Sequence, residues 1–132
     1  MAILLKGEYM RFLKLADITA YRKSFDLSNT AWKIIIKWDY FAKDTVGKQF
    51  CRAIDSVSAN VAEGFGRYHR KDKEKFYYNA RGSVYESLDW LQKSKVRDLI
   101  TETEYKQMFQ VLSELPKDVN TLIRYTEQRL TK

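Results

Sequence analysis

Residues suited to catalysis or metal binding are scarce in this chain, which has one histidine, His69, and one cysteine, Cys51. A zinc site needs several imidazole or thiolate ligands. A nucleophile activated by histidine would have to use His69, which lies in a highly charged run and is expected to be exposed. We therefore expect a protein that is not an enzyme and that holds no metal or cofactor.

Two further patterns that suggest bound ligands fail on their context. Gly64-Phe65-Gly66 resembles the start of a dinucleotide-binding loop, but it lacks the third glycine and follows a helical pattern instead of a strand. A di-iron bundle needs two Glu-x-x-His pairs, which one histidine cannot supply. The lone Cys51 excludes an internal disulfide and is expected to pack as a small hydrophobic residue.

The strongest local feature is a cluster of cations between residues 67 and 75, opposed by two carboxylates, Asp72 and Glu74. Its basic members are Arg67, Arg70, Lys71, Lys73 and Lys75. Side chains and free backbone N–H groups of such a segment can contact phosphates, and Tyr68 can stack on an unpaired base. The alternative interpretation of the same residues is a solvated loop.

The overall charge agrees with a phosphate-binding function. The chain has 24 basic and 17 acidic side chains, a formal net charge of +7. An excess of this kind favours an acidic partner, most often a nucleic acid or an anionic surface. An acidic protein partner is the alternative if the chain is a protein-interaction scaffold. The charge is also explained if it serves only to keep the protein in solution.

Four amphipathic segments must position these residues. The spacing of apolar residues predicts helices from about Asp17 or Thr19 to Trp38, from about Gly47 to Phe65, from near Asp72 to between Val96 and Asp98, and from Thr101 onward, with residues 39–46 as a loop. The second helix has the clearest apolar stripe, at Val46, Phe50, Ile54, Val57, Val61 and Phe65. Short connections between such helices are typical of an all-α, antiparallel up-down four-helix bundle.

Several residues are predicted to mark helix ends. Asp72 suits an N-cap, and Thr101 with Glu104 forms a capping-box pattern. Gly64 and Gly66 stand where a left-handed helix end would need glycine, and they would also let the backbone approach a phosphate closely. The predicted bundle covers residues 16–132, after an N-terminal lead of residues 1–15. The chain has no apolar stretch long enough to span a membrane, so the simplest location is the cytoplasm.

The aromatic content of 14% is more than one core of four helices can bury. Three tyrosines, Tyr77, Tyr78 and Tyr85, lie beside the main apolar stripe of the third helix. Leftover aromatic residues of this kind are typical of a subunit interface, and we therefore expect a homo-oligomer. Tyrosines that are merely scattered over the surface are the alternative.

A motif in the second helix resembles a known family. The run from Gln49 to Arg67, and above all Asn60-Val-Ala-Glu-Gly-Phe-Gly-Arg67, is similar to the signature of the 23S rRNA intervening-sequence proteins, often labelled ribosomal protein S23. The third helix agrees at Phe76, at Ala80-Arg-Gly-Ser83 and at Glu86. The similarity covers about residues 15–125. Cys51 departs from the signature by replacing the first of two usual arginines, which leaves Arg52.

The resemblance implies a four-helix bundle that assembles as a ring, specifically a homopentamer. It also implies kinship with the basic pentameric accessory proteins of diversity-generating retroelements, which bind reverse transcriptase and RNA. We expect an oligomeric binder of structured RNA, and a protein-interaction scaffold is the alternative. The expected nucleic-acid-binding residues are Arg52, Arg67, Tyr68, Arg70, Lys71, Lys73, Lys75 and Arg81.

Overall fold

Four long helices make up most of this computed structural model, which describes residues 14–129. The helices are α1 (Thr19–Ile35), α2 (Lys48–Gly66), α3 (Arg70–Val96) and α4 (Glu102–Arg129). Each helix packs against two others, in the cyclic order α1, α2, α3, α4. The described residues contain no strand, and the predicted all-α four-helix bundle is confirmed.

Residues 1–13 of the predicted N-terminal lead lie outside the described residues. The described chain starts with Lys14 and a single 3-10 turn at Leu15–Asp17, and the buried Ile18 then leads into α1. None of the helices between residues 14 and 129 is long and apolar enough to cross a membrane.

The core consists of two adjoining clusters of buried apolar side chains, as the periodicity predicts. One cluster brings together all four helices at Leu27, Ala31, Ile35, Phe50, Ile54, Val57, Val84, Leu91, Met108, Leu112 and Leu115. The other lies toward the end where α2 meets α3, at Ile18, Ala20, Val61, Tyr77, Ala80, Val119 and Ile123. Burial of this apolar surface drives the packing of helices that would be only marginally stable alone.

The predicted loop at residues 39–46 is helical, which corrects the sequence-based boundary. Asp39 caps a single α-turn at Tyr40–Ala42, because its carboxylate accepts a hydrogen bond from the backbone N–H of Ala42 at 3.0 Å. A π-helical segment, Lys43–Gly47, then continues into α2. A π-turn holds more residues than an α-turn, and it therefore breaks the apolar spacing by which a helix is recognised.

The helix ends confirm one prediction and correct two others. The hydroxyl of Thr101 accepts a hydrogen bond from the N–H of Glu104 at 3.0 Å, and the Glu104 carboxylate accepts one from the N–H of Thr101 at 2.9 Å. Asp72 is not an N-cap: α3 starts earlier and Asp72 lies in its first turn. No described glycine has a positive φ, and the residue that adopts one is Asp98, with φ of 58°.

Gly64 is required for helix packing and not for a left-handed turn. It is buried in α2 against α3. A Cβ atom at this position would lie 2.6 Å from ring atom Cε1 of Tyr77 and 3.0 Å from the carbonyl oxygen of Lys73. Only glycine allows the two helices to approach this closely, so the backbone of α2 at Gly64 packs directly on the ring of Tyr77 in α3.

Candidate nucleic-acid interface

The α2–α3 corner, defined as residues 67–75, holds the predicted cation cluster, but its arginines have partners within the chain. The guanidinium of Arg67 pairs with the Glu63 carboxylate at 2.8 Å and lies over the Phe76 ring at 4.7 Å. Arg70 pairs with Glu74 at 3.3 Å. Both ion pairs span one helical turn, so the sequence spacing already allowed them. They leave the two arginines partly neutralised.

Lys73 has a structural role at the same corner. Its ammonium group donates hydrogen bonds to the carbonyl oxygens of Phe65 at 2.8 Å and Gly64 at 3.3 Å, which are among the last carbonyls of α2. The lysine is half-buried, and burial lowers the pKa of its ammonium group. Because helix C-terminal carbonyls lack partners within their own helix and carry partial negative charge, Lys73 caps α2.

Replacing Lys73 with methionine is expected to lower the free energy of unfolding by about 1–2 kcal/mol, since charge-assisted hydrogen bonds to the α2 carbonyls would be lost. Urea unfolding followed by circular dichroism measures the change. Lys71→Met is the matched control, because Lys71 is exposed and no ion pair or hydrogen bond is found for its side chain among residues 14–129. Equal unfolding midpoints for the two variants would argue against the capping role.

Three predicted residues of the corner keep their side chains accessible. Lys71 is exposed, and Lys75 is exposed as well, with its ammonium nitrogen 5.8 Å from the centre of the Phe76 ring. Tyr68 is 81% exposed and meets the His69 ring edge-on at 4.9 Å. The corner therefore presents two cations and one stacking surface, which is fewer than the sequence suggested.

The two remaining predicted cations lie elsewhere. Arg52 is exposed near the start of α2, close to the opposite end of the bundle from the corner. Arg81 points across to α4, where it donates to the Asn120 side-chain oxygen at 2.7 Å, and its guanidinium lies 4.8 Å from the centre of the Tyr78 ring. The eight predicted nucleic-acid-binding residues thus do not form one continuous surface on a single chain.

The predicted interface tyrosines divide between core and surface. Tyr77 is 2% exposed and packs on Gly64, so its assignment to a subunit interface is wrong. Burial raises the pKa of Tyr77 to about 12. Tyr78 and Tyr85 are 46% and 58% exposed, and they remain available to a partner.

A second apolar surface was missed by the sequence analysis. Phe25, Trp32 and Ile36, here called the α1 outer stripe, are 47%, 57% and 48% exposed. They follow one another by seven and four residues, so Phe25 and Trp32 share one face of α1, distinct from the buried face, and the C-cap residue Ile36 continues it. The signal was present in the sequence as a second set of apolar residues with helical spacing beside the main stripe.

The lone cysteine lies on the side of α2 that faces α1. Cys51 is one turn after Gly47, where an added Cβ atom would lie 3.0 Å from the Ile35 side chain of α1. Burial, and to a lesser degree the negative charge of Asp55, raises the pKa of the Cys51 thiol. Burial also raises the pKa of the Asp55 carboxyl group. The thiol is therefore protonated near neutral pH and behaves as the predicted small hydrophobic residue.

A cleft lies at the end of the bundle opposite the α2–α3 corner. Its lining includes Asp39, Asp44 and Arg97. Asp39 is engaged as a helix cap and Asp44 pairs with Lys48 at 3.0 Å. Among residues 14–129, no group of three or more His, Cys, Asp or Glu side chains is arranged to hold a metal ion.

Comparison with known proteins relates the chain to one family and to solved structures. The sequence profile of a family described as 23S rRNA-intervening sequence protein matches residues 16–121. A solved structure from Bacteroides thetaiotaomicron, described as a protein with unknown function from the S23 ribosomal protein family, is 20% identical. The similarity covers 80% of this chain and 99% of that chain, with a TM-score of 0.72, and shows a common fold. No curated protein matches the chain.

Proposed function

This chain belongs to the family of 23S rRNA-intervening sequence proteins, and we propose that it is a non-enzymatic, oligomeric protein that binds structured RNA. The observation that carries the proposal is a surplus of exposed cations without a carboxylate within ion-pair distance among the described residues. These are Arg22, Lys33, Lys37, Lys43, Arg52, Lys71, Lys75, Arg97, Lys117, Arg124 and Arg129. Unneutralised cations of this kind attract phosphates and release the counterions of a nucleic acid on binding.

The placement of the reactive residues supports a non-enzymatic function. Cys51 lies in the first turn of α2 and His69 follows the end of that helix. The intervening helix holds them more than about 20 Å apart. A thiol–imidazole pair within one chain is therefore impossible in this fold.

The RNA-binding proposal predicts a strong dependence on salt. A labelled RNA stem–loop is expected to bind with an affinity that falls as salt rises from about 50 to 200 mM, with a slope of log affinity against log salt of about −4 if about five phosphates are contacted. Fluorescence anisotropy measures both quantities. Absence of binding at the lowest salt concentration would refute the proposal.

The α1 outer stripe supports the oligomeric part of this proposal. Exposed aromatic and aliphatic side chains on one helix face are typical of protein–protein contacts. We propose that this stripe contacts a second copy of the chain, in a ring that the family resemblance implies to be a homopentamer. A protein-interaction scaffold whose basic surface binds an acidic protein partner is the second candidate, and its binding would respond less steeply to salt than binding to RNA.

A further inference from the structure

The surface where α3 lies beside α4 combines aromatic and cationic side chains in a regular arrangement. Tyr78 and Tyr85 are both exposed and stand seven residues apart on α3. Seven residues are about two helical turns, or about 10.5 Å along the axis. Lys71 precedes Tyr78 by another seven residues and continues the same row into the α2–α3 corner.

A matching row of cations lies on α4. Lys117 and Arg124 are exposed, have no carboxylate partner among the described residues, and are also separated by seven residues. The contact between Arg81 and Asn120 at 2.7 Å fixes how the two antiparallel helices align. Because the helices are antiparallel, Tyr78, one turn before Arg81, lies level with Arg124, one turn after Asn120. In the same way Tyr85, one turn after Arg81, lies level with Lys117, one turn before Asn120.

Negative charge is scarce along the middle of this surface. Glu74 and Asp89, toward its two ends on α3, already pair with Arg70 at 3.3 Å and Lys93 at 2.7 Å. Two exposed carboxylates have no ion-pair partner among the described residues, Glu86 on α3 and Glu127 near the end of α4, and they lie at the margins of this surface. The stretch from Tyr78 to Tyr85 is therefore open to a polyanion.

The ring of Tyr78 is held ready for stacking. Its neighbour Arg81 covers one ring face at 4.8 Å, and the bond to Asn120 fixes the guanidinium in turn. A cation beneath the ring is attracted to it, and the immobilised Arg81 limits the motion of the tyrosine. Tyr78 nevertheless remains 46% exposed, so part of its side chain is accessible to a ligand.

We propose that this α3–α4 face, defined as Tyr78, Arg81, Tyr85, Lys117, Asn120 and Arg124, binds a single-stranded segment of RNA. Bases stack on Tyr78 and Tyr85 while Lys117 and Arg124 contact phosphates. Stacking platforms beside a cationic track are the usual way in which single strands are bound. The bases of a duplex already stack on one another, and their faces are closed to tyrosine. The inference rests on the proposed RNA-binding function and names the part of the RNA that is bound.

The test compares two RNA probes and two double variants. The probes are a labelled oligouridine of about 20 nucleotides, which exceeds the site of a typical single-strand-binding module, and the duplex of the same oligouridine with oligoadenine. Tyr78→Ala/Tyr85→Ala is expected to weaken binding of the single strand by about ten-fold or more. Lys117→Ala/Arg124→Ala is expected to weaken it and to make the salt slope shallower by about 1.4 for each subunit in contact.

Matched controls separate this face from general effects. Tyr40→Ala/Phe41→Ala removes two aromatic side chains that are each 76% exposed at the other end of the bundle. Lys48→Ala removes an exposed cation that already pairs with Asp44 at 3.0 Å, at the other end of the bundle. Both controls are expected to bind the single strand within about two-fold of wild type, since neither touches the α3–α4 face.

The outcomes distinguish the inference from the proposed function. A wild-type protein that binds neither probe nor an RNA stem–loop overturns the proposed function and this inference with it. Wild-type binding that both α3–α4 variants retain unchanged overturns the inference alone. Light scattering on the tyrosine variant adds a further check: a loss of oligomer mass together with RNA binding would assign Tyr78 and Tyr85 to a subunit contact instead.

Discussion

Gly64→Ala is expected to lower the free energy of unfolding by about 2–3 kcal/mol, because the added methyl group overpacks a closed contact. The new Cβ atom would meet the Tyr77 ring at 2.6 and 2.9 Å, and the carbonyl oxygen of Lys73 at 3.0 Å. Tyr77 is 2% exposed and has little space into which it can turn. The two helices would have to separate, which would also weaken the Lys73 cap at the end of α2.

Gly82→Ala is the control for this substitution and should have the opposite sign. Gly82 lies in the middle of α3, and nothing comes within 4 Å of a Cβ atom added there. Alanine in an exposed helix interior is favoured over glycine by about 0.5–1 kcal/mol. Urea unfolding of both variants is the measurement. If Gly64→Ala is as stable as wild type, α2 and α3 are not packed as closely as described.

The double variant Phe25→Glu/Trp32→Glu is expected to dissociate the proposed oligomer into monomers. Interface aromatics commonly contribute about 2 kcal/mol or more each, so two buried carboxylates in their place should weaken association by at least about a thousand-fold. Both side chains are about half-exposed in the single chain, 47% and 57%, so the bundle itself should remain folded. Light scattering over a wide concentration range measures the mass, and circular dichroism confirms helicity.

Tyr40→Glu/Phe41→Glu is the matched control for that experiment. It introduces the same charges at two aromatic residues that are more exposed, 76% each, and lie outside the α1 outer stripe. The control is expected to keep the wild-type mass. A wild-type protein that is monomeric at every concentration would refute the oligomer proposal. If the Phe25→Glu/Trp32→Glu variant keeps the wild-type mass, the subunit interface does not include the α1 outer stripe.

The helices were predictable from sequence because burial repeats with the helical period. Phe50, Ile54, Val57 and Val61 are each at most 1% exposed, as their spacing indicates. The third helix was harder to orient, since its buried face includes the polar residues Ser87 and Ser94, both 0% exposed. Because the buried and exposed faces of this helix differ little in polarity, the sequence predicts Tyr77 beside the buried stripe, whereas the structure places it within that stripe.

For the candidate site, the sequence indicated which residues are present and which pairs one helical turn apart can form, but not which contacts they make between helices. Spacing within one helix allowed the pairs of Arg67 with Glu63 and of Arg70 with Glu74. The role of Lys73 depends on where the end of α2 lies relative to α3, and the alignment of Tyr85 with Lys117 depends on the contact between α3 and α4. Such positions are fixed by packing between helices, which the pattern along a single helix does not specify.

The raised pKa of the Cys51 thiol determines how readily two copies of the chain could be joined by a disulfide. Disulfide exchange and oxidation by peroxide both proceed through the thiolate, which is scarce here at neutral pH because burial and the charge of Asp55 oppose ionisation. Cys51 is the chain's lone cysteine. Covalent cross-linking between copies through Cys51 is therefore expected to be slow, so the proposed subunit association would be reversible and set by protein concentration instead of by the redox state of the surroundings.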